Sequence, residues 1–377
     1  MVTPKKIGII TMHRVINAGS ALQAYALYHA VCKLGHECEI IDYQYPNEYH
    51  KQENQNNRTT SFFTRQWQRI KYFILYRSRV QQKRFIDFMA QAWKSSNYFP
   101  NRESLINNPP EYDICITGSD QVWNPRCMKG DSIFFCDFSP NTPHIAYASS
   151  FTQGDIPHDL QSHYAKHLSS YQVIGVRENS GVKLIEKLVA KKAEIVCDPT
   201  LLLTASDYAP FIAKAHTYTR KRYLLAYILD YAFNPYPTIQ EVIKRISQEQ
   251  ELEVIYLMAN SVNNYKIGQA ITSAGPNEFL KLFSEASYIV TSSFHGVAFS
   301  LLFEKDFYTI VPNEENEDGR IQSLLQRVGA QERAIKQGVN ISKISTRKLN
   351  YNIIRTRLEE YREHSLHFLQ SAIQTII

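Results

Sequence analysis

The residues of this chain that could do chemistry sit in short segments just after apolar runs. Residues 288 to 303 are the richest: Tyr-Ile-Val-Thr-Ser-Ser-Phe-His-Gly-Val-Ala-Phe-Ser-Leu-Leu-Phe. An apolar strand, Tyr288 to Val290, leads into three hydroxyl residues, then Phe294-His295-Gly296, then an apolar helix. This order places His295 where a parallel strand ends and a helix begins, the rim at which ligands gather in open α/β sheets. The helix start adds unbonded N–H groups and the positive end of a dipole, which suit a phosphate or carboxylate. An imidazole beside such an anion is a natural general acid or base. The plainer reading is that Thr291, Ser292 and Ser293 cap the helix and His295 is a satisfied turn residue. Gly118-Ser119-Asp120-Gln121-Val122-Trp123-Asn124-Pro125 stands in the same relation to the run Tyr112 to Thr117, and Asp198-Pro199-Thr200 to the run Glu194 to Cys197.

The elements that must position these segments alternate along the chain. Lys6 to Thr11 is a buried-strand pattern and His13 to Gly19 a loop. Ser20 to Leu34 is a helix, apolar at Leu22, Leu27, Val31 and Leu34, with a stop at Gly35. Glu39 to Tyr43 is the next strand. The small residues of Asn17-Ala18-Gly19-Ser20 let backbone approach an anion. No G-x-G-x-x-G or Walker pattern occurs, so a dinucleotide or nucleoside triphosphate fingerprint is absent. Strands over Tyr112 to Thr117, His144 to Ser150, Val173 to Val176 and Glu194 to Cys197, with helices near 159–168 and 179–190, predict a doubly wound parallel sheet. After a polar join near 205–221 a second series follows. It has strands at Tyr223 to Leu229, Glu253 to Leu257, 288–292 and Phe307 to Val311, and helices near 237–249 and 277–286.

The expected fold is therefore α/β, with two Rossmann-like domains in a GT-B-like arrangement and an interdomain cleft. The domains are expected at 1–204 and 205–345, followed by a C-terminal helix in 346–377. Within the first domain, 62–93 reads as a basic helical insertion with Arg65, Arg69, Lys71, Arg77, Arg79, Lys83 and Arg84. Its helically spaced Trp67, Ile70, Phe73, Ile74, Phe85 and Phe88 fit a core-packing helix with a solvated basic face. The alternative is contact with an anionic membrane that holds a lipid-linked acceptor.

A chain of 377 residues is long enough for two proper cores. Its apolar share of 44% and charged share of 21% are ordinary for a globular protein. The 24 Tyr and 19 Phe fit broad clefts that stack on sugars. A net charge of +6 suits an anionic small substrate or an anionic membrane surface, and is too small and scattered for nucleic acid. Cys32, Cys38, Cys115, Cys127, Cys136 and Cys197 show neither C-x-x-C nor zinc-ligand spacing, and several lie in apolar runs as small hydrophobes. Ile7 to Ile10 is too short for a signal peptide, and no run approaches the ~18 apolar residues of a spanning helix. The expected compartment is a reducing cytoplasm, with peripheral contact at the inner face of the membrane as the alternative.

Taken together the strand-end motifs form an ordered series: Asn17-x-Gly19-x-x-Leu22-Gln23-x-Tyr25, Gly118-Ser119-Asp120-Gln121-Val122-Trp123-Asn124, Tyr147-Ala148-Ser149-Ser150-Phe151, Val176-Arg177-Glu178-x-Ser180-Gly181, Asp198-Pro199-Thr200-Leu201-Leu202, Ser293-Phe294-His295-Gly296 and Gly319-Arg320. In this order and spacing the chain resembles the polysaccharide pyruvyl transferase family from Lys6 to about Val328. The resemblance implies transfer of a pyruvyl group from phosphoenolpyruvate onto two hydroxyls of a sugar, forming a cyclic ketal and releasing phosphate. It implies phosphoenolpyruvate as co-substrate and a sugar or lipid-linked oligosaccharide as acceptor; no metal ligands are assigned and no further cofactor is expected, while a metal requirement stays open. Such a donor needs fixed cations and N–H donors, a general acid for its C3, and a base for the incoming hydroxyl.

On that resemblance Arg177 is the expected bidentate anion holder, with a salt bridge to Glu178 or another carboxylate as the alternative. His295 is the expected proton donor, and Ser293, Gly296 and Arg320 complete the donor side. Asp120 is the candidate base on the acceptor hydroxyl, or else a helix N-cap. Asn17 and Gly19 are expected to shape the wall facing the acceptor, with Gln121 beside them. Trp123 is either a stacking platform for a sugar or a buried anchor, and Asp198 fixes the turn before Pro199. Where some members carry Arg-Leu-His, this chain has Ser293-Phe294-His295. Arg320, Arg14 or Lys305 would have to replace the missing cation. Two other readings compete: a GT-B glycosyltransferase using a nucleotide sugar, and a non-catalytic saccharide-binding relative.

Overall fold

Runs such as Ile114–Thr117, His144–Ser149 and Tyr223–Ile228 are buried at every position, as parallel strands covered on both faces must be. A computed structural model describes residues 3–51, 66–152, 154–219, 221–230, 233–258, 268–313, 319–341, 344 and 347–376. Their strands form two all-parallel sheets. The first contains β1 (Lys6–Ile10), β2 (Glu37–Tyr43), β3 (Ser95–Phe99), β4 (Ile114–Thr117), β5 (His144–Ser149), β6 (Tyr171–Val176) and β7 (Glu194–Ile195), in the order β3-β2-β1-β4-β5-β6-β7. The second contains β8 (Tyr223–Ile228), β9 (Glu253–Met258), β10 (Gln269–Ile271), β11 (Tyr288–Thr291), β12 (Phe307–Val311) and β13 (Ala334–Lys336), in the order β10-β9-β8-β11-β12-β13. Each order reverses direction once, between β1 and β4 and between β8 and β11. Those switch points open a crevice beyond the carboxyl ends of the strands.

Two Rossmann-like α/β units are thus present, as the sequence predicts. The short strands β3, β10 and β13 have no counterpart in that reading. They are edge or near-edge pieces of three to five residues, too brief or too polar (Ser-Ser-Asn-Tyr-Phe in β3) to show a pattern.

Three helices tie the units together. The helix Ala205–Lys214 sets Tyr208 and Phe211 edge-on against Tyr25, and Tyr208 also meets Phe299 of the second unit. The helix Gln66–Ala92 buries Phe85 and Phe88 in the same core. Its Arg84 donates to Ser273 O at 2.9 Å and Tyr218 Oη at 2.7 Å, so this basic residue joins the two units. The predicted features Arg65, Trp67, Arg69, Ile70, Lys71, Phe73, Ile74 and Arg77 lie outside the residues whose side chains are described. The last helix, Tyr351–Thr375, starts on the second unit, where Tyr351 Oη meets Ser300 O at 3.3 Å. It ends on the first, where Ser365 Oγ accepts from Cys197 N at 2.9 Å and Arg362 Nε donates to Leu201 O at 2.8 Å. Among the described residues no helix is long and apolar enough to cross a membrane.

Candidate functional site

Five strand ends deliver side chains to one place. The turn after β4 carries Ser119 and Asp120, β6 runs straight into Arg177, and Asp198 follows β7. From β1 the chain enters the helix Ala18–Lys33, whose N-cap Asn17 accepts from Gly19 N at 2.9 Å. From the second unit β11 runs into the helix Phe294–Leu302, whose first turn holds His295.

Asp198 is the junction. Its Oδ1 makes the turn that the sequence predicts, accepting from Thr200 N at 3.0 Å and Thr200 Oγ1 at 2.8 Å. Its Oδ2 faces the other way, where Arg177 Nη1 donates at 2.6 Å and Ser119 Oγ at 3.1 Å, and His295 Nε2 stands at 3.6 Å. One carboxylate oxygen therefore touches the guanidinium of the first unit and the imidazole of the second. Asp120 lies alongside: Ser20 Oγ donates to its Oδ2 at 2.5 Å, and Arg177 Nη2 is 3.6 Å from its Oδ1. Asp120 adopts φ +78°, a left-handed conformation that Asp tolerates better than most residues, and its main chain bridges Ser149.

All four of these charged or titratable groups are buried. Burial pushes the Asp120 carboxyl up, but His295, Arg177, the Ser20 hydroxyl and Arg320 together outweigh it and hold it below the usual range. The same contest holds Asp198 far below that range, with His295 and Arg177 opposing desolvation. Burial pulls the Arg177 guanidinium down while Asp198, Asp120 and Glu178 push it further up, and the net shift is upward. Yet Arg177 Nε and Nη2 and His295 Nε2 are buried without a hydrogen-bond partner. Glu178 Oε1 is engaged by Ser150 Oγ, Phe151 N and Thr152 N, which fixes the turn that follows β5.

The structure brings His295, Arg177, Asp120 and Arg320 together; the rest differ from expectation in part. Gly19 does not shape an open wall. A Cβ there would lie 2.2 Å from His295 Nδ1, so the first helix packs directly on the imidazole. Trp123 is fully buried, stacked on Phe135 at 5.6 Å and donating from Nε1 to Phe134 O at 3.1 Å. It is a core anchor, closed to any sugar. Gln121 is half-buried and accepts from Asn124 Nδ2 at 2.7 Å. Ser293 caps its helix by accepting from Gly296 N at 3.4 Å. Gly296 leaves room for Thr291, whose Oγ1 a Cβ would meet at 2.2 Å. Phe294 carries two guanidinium groups near its ring, Arg177 at 4.9 Å and Arg320 at 5.8 Å from the centroid.

Sequence reasoning missed Ser20 and the second oxygen of Asp198. The signal for Ser20 was a polar residue, like Gln23, on a helix face otherwise built of Ala and Leu.

Two parallel-sheet units with the site at their facing strand ends define a GT-B-like protein. The UDP-GlcNAc 2-epimerase of Methanocaldococcus jannaschii, solved with UDP-GlcNAc and UDP, superposes with a TM-score of 0.52 at 14% identity, covering 95% of this chain and 94% of that one. A putative UDP-N-acetylglucosamine 2-epimerase from Listeria monocytogenes gives 0.50 at 11% identity, covering 97% and 91%. Likeness at these identities is one of fold. The sequence itself goes further: the polysaccharide pyruvyl transferase family model matches residues 17–314, and the chain belongs to that family. A comparison with curated proteins found no match.

Proposed function

We propose that the protein moves the pyruvyl group of phosphoenolpyruvate onto two hydroxyls of a sugar, in a surface polysaccharide or its lipid-linked precursor. C3 of the donor gains a proton and one sugar hydroxyl bonds to C2. The C2–O bond to phosphate then breaks, the second hydroxyl closes the ketal on C2, and its proton leaves with the phosphate. Arg177 holds the donor's anionic groups, His295 supplies the proton and Asp120 accepts one from the hydroxyl. Asp198 orients His295 and Arg177 from a single oxygen.

The observation that carries this reading is the set of buried nitrogens without a hydrogen-bond partner, Arg177 Nε and Nη2 with His295 Nε2, at the meeting of the two units. A multiply charged enol phosphate is the kind of ligand that such donors fit. The donors are shielded, so the substrate reaches them when the units part. Binding an anion there also neutralises the charges that depress Asp120, which makes it a better base once the donor is in place.

The test is phosphate release from phosphoenolpyruvate in the presence of acceptor glycans, with His295→Ala as control. His295→Ala should remove turnover by at least ~10²-fold while leaving the fold intact. Near-normal activity in that variant, or release of a nucleotide from a nucleotide sugar with no phosphate from phosphoenolpyruvate, would refute the reading. Glycan binding without phosphate release would mark a non-catalytic relative.

A further inference from the structure

We propose that Tyr98, Arg14 and Gln44 form a second saccharide subsite, on the outer rim of the first unit, that takes a neutral sugar residue of an extended glycan. Only the identification of that glycan as the acceptor rests on the reading above.

Tyr98 stands near the end of the edge strand β3 and is 51% exposed. Single exposed aromatics are ordinary; what sets this one apart is its support. The Arg14 guanidinium lies 4.6 Å from the ring centroid. It is locked by two bonds to Asp42, from Nε at 2.5 Å and from Nη2 at 2.6 Å. Asp42 is the register partner of Tyr98 across β2 and β3. It is held from behind by the buried His13, whose Nε2 is 3.0 Å away and whose Nδ1 reaches Thr11 O at 3.1 Å. On the other side Tyr98 Oη donates to Gln44 Oε1 at 3.3 Å.

A half-exposed ring is thus held with a guanidinium over one face and a carboxamide at its hydroxyl. This is a set that recognises a pyranose, with C–H groups over the ring and hydroxyls in reach of planar polar groups. Arg14 Nη1 has no protein partner among the described residues and is free to donate. Because Asp42 balances Arg14, the platform presents no surplus cation to a phosphate or uronate, which favours a neutral sugar.

The placement sets the ligand's length. Tyr98 is the last residue but one of β3 and Asp120 follows β4, three strand spacings apart in the order β3-β2-β1-β4. At ~4.8 Å per spacing the gap is about 14 Å along one rim. That is a span for an oligosaccharide and not for a single sugar. The two places are also mechanically joined, since Thr11 Oγ1 donates to Ser119 O at 2.9 Å.

The test uses the whole chain and neutral hexose oligosaccharides of increasing length, alongside acidic ones, with binding followed by ligand-observed NMR titration. Thermal shift with phosphoenolpyruvate runs in parallel. Tyr98→Ala, at an exposed position, should weaken binding of the longer neutral oligomers by roughly tenfold. Arg14→Lys should weaken it several-fold, and the phosphoenolpyruvate shift should not change in either. Equal binding in both variants, no binding of any neutral oligomer by the unaltered protein, or Tyr98-dependent binding of acidic glycans alone would overturn the subsite. Tyr98-dependent glycan binding with no phosphoenolpyruvate shift would support it while removing the catalytic reading.

Discussion

Gly19→Ala is the most discriminating single change. In isolation it should help: Gly19 lies inside a helix, and alanine there is worth about 0.5–1 kcal/mol over glycine. The opposing effect is steric. The new Cβ would fall 2.2 Å from His295 Nδ1, 2.4 Å from Cγ and 2.8 Å from Cβ, so the clash meets the root of the ring and no flexible tip can swing away. Restoring ordinary contact requires the imidazole, or the whole second unit, to retreat by more than an ångström. Overpacking of this kind costs about 1–3 kcal/mol, which the helical gain partly offsets. A net loss of at most ~2.5 kcal/mol lowers the melting temperature by only a few degrees in a chain this long. Catalysis is less tolerant: a 1 Å misplacement of a reacting group can cost ~10²-fold. Phosphate release from phosphoenolpyruvate should therefore fall about 100-fold while the thermal transition barely moves. Full activity with an unchanged transition would show that the working state does not bring the first helix against His295.

Two further outcomes follow from the same contacts. Trp123→Phe keeps an aromatic ring on Phe135 and removes one of the two donors to Phe134 O, leaving Thr117 Oγ1 at 3.1 Å, so it should cost about 1 kcal/mol in denaturant unfolding. It should leave the apparent affinity for acceptor unchanged, since no sugar reaches that ring; a large rise in KM alone would contradict its burial. Asp42 is held at about 2, because bonds to His13 and Arg14 overcome the upward push of burial. A folded-state value below the unfolded one contributes stability that is complete above about pH 4 and lost as pH falls towards 2. Melting temperature should drop across that window, and Asp42→Asn should flatten the drop; an identical slope in the variant would show that Asp42 does not carry it.

What was legible in the sequence was local. His295 and Arg177 could be placed because each ends an apolar run, and a strand end in a parallel sheet points at the crevice. Asp198 was half legible: Asp-Pro-Thr encodes its turn, and Oδ1 makes it. The reach of Oδ2 to Arg177 and His295 depends on how β7 lies beside β6 and how the two units dock, which no short motif specifies. Gly19 shows the same boundary, for its partner lies 276 positions away. Trp123 shows another: an aromatic after a strand looks the same whether it faces a cleft or the core. The polar Ser20 and Gln23 were visible as exceptions on an apolar face, but their meaning required Asp120 and Thr11 to be in place.

The cation missing from Ser293-Phe294-His295 is best explained by its neighbour. Arg14 cannot replace it, since two of its nitrogens are committed to Asp42. Lys305 lies beyond the far end of the helix Phe294–Leu302, whose last residue is already about 10 Å along the axis from His295. Arg320 remains. It opens the helix Arg320–Val328, pulls on the Asp120 carboxyl and stands 5.8 Å from the Phe294 ring. A leucine, as in the Arg-Leu-His version, offers no π face to a guanidinium; phenylalanine does, and such a contact is worth ~0.5–2 kcal/mol. If Arg320 does the work of that arginine, the serine and the phenylalanine form one coupled exchange, in which a charge lost from the helix start returns through Arg320. Phe294→Leu alone, which takes the ring away from Arg177 as well as from Arg320, should weaken phosphoenolpyruvate binding by roughly three- to thirtyfold, the range that energy implies, and adding Ser293→Arg should restore the part owed to Arg320. If Phe294→Leu binds the donor as tightly as the unaltered protein, Arg320 owes its place to something other than the ring.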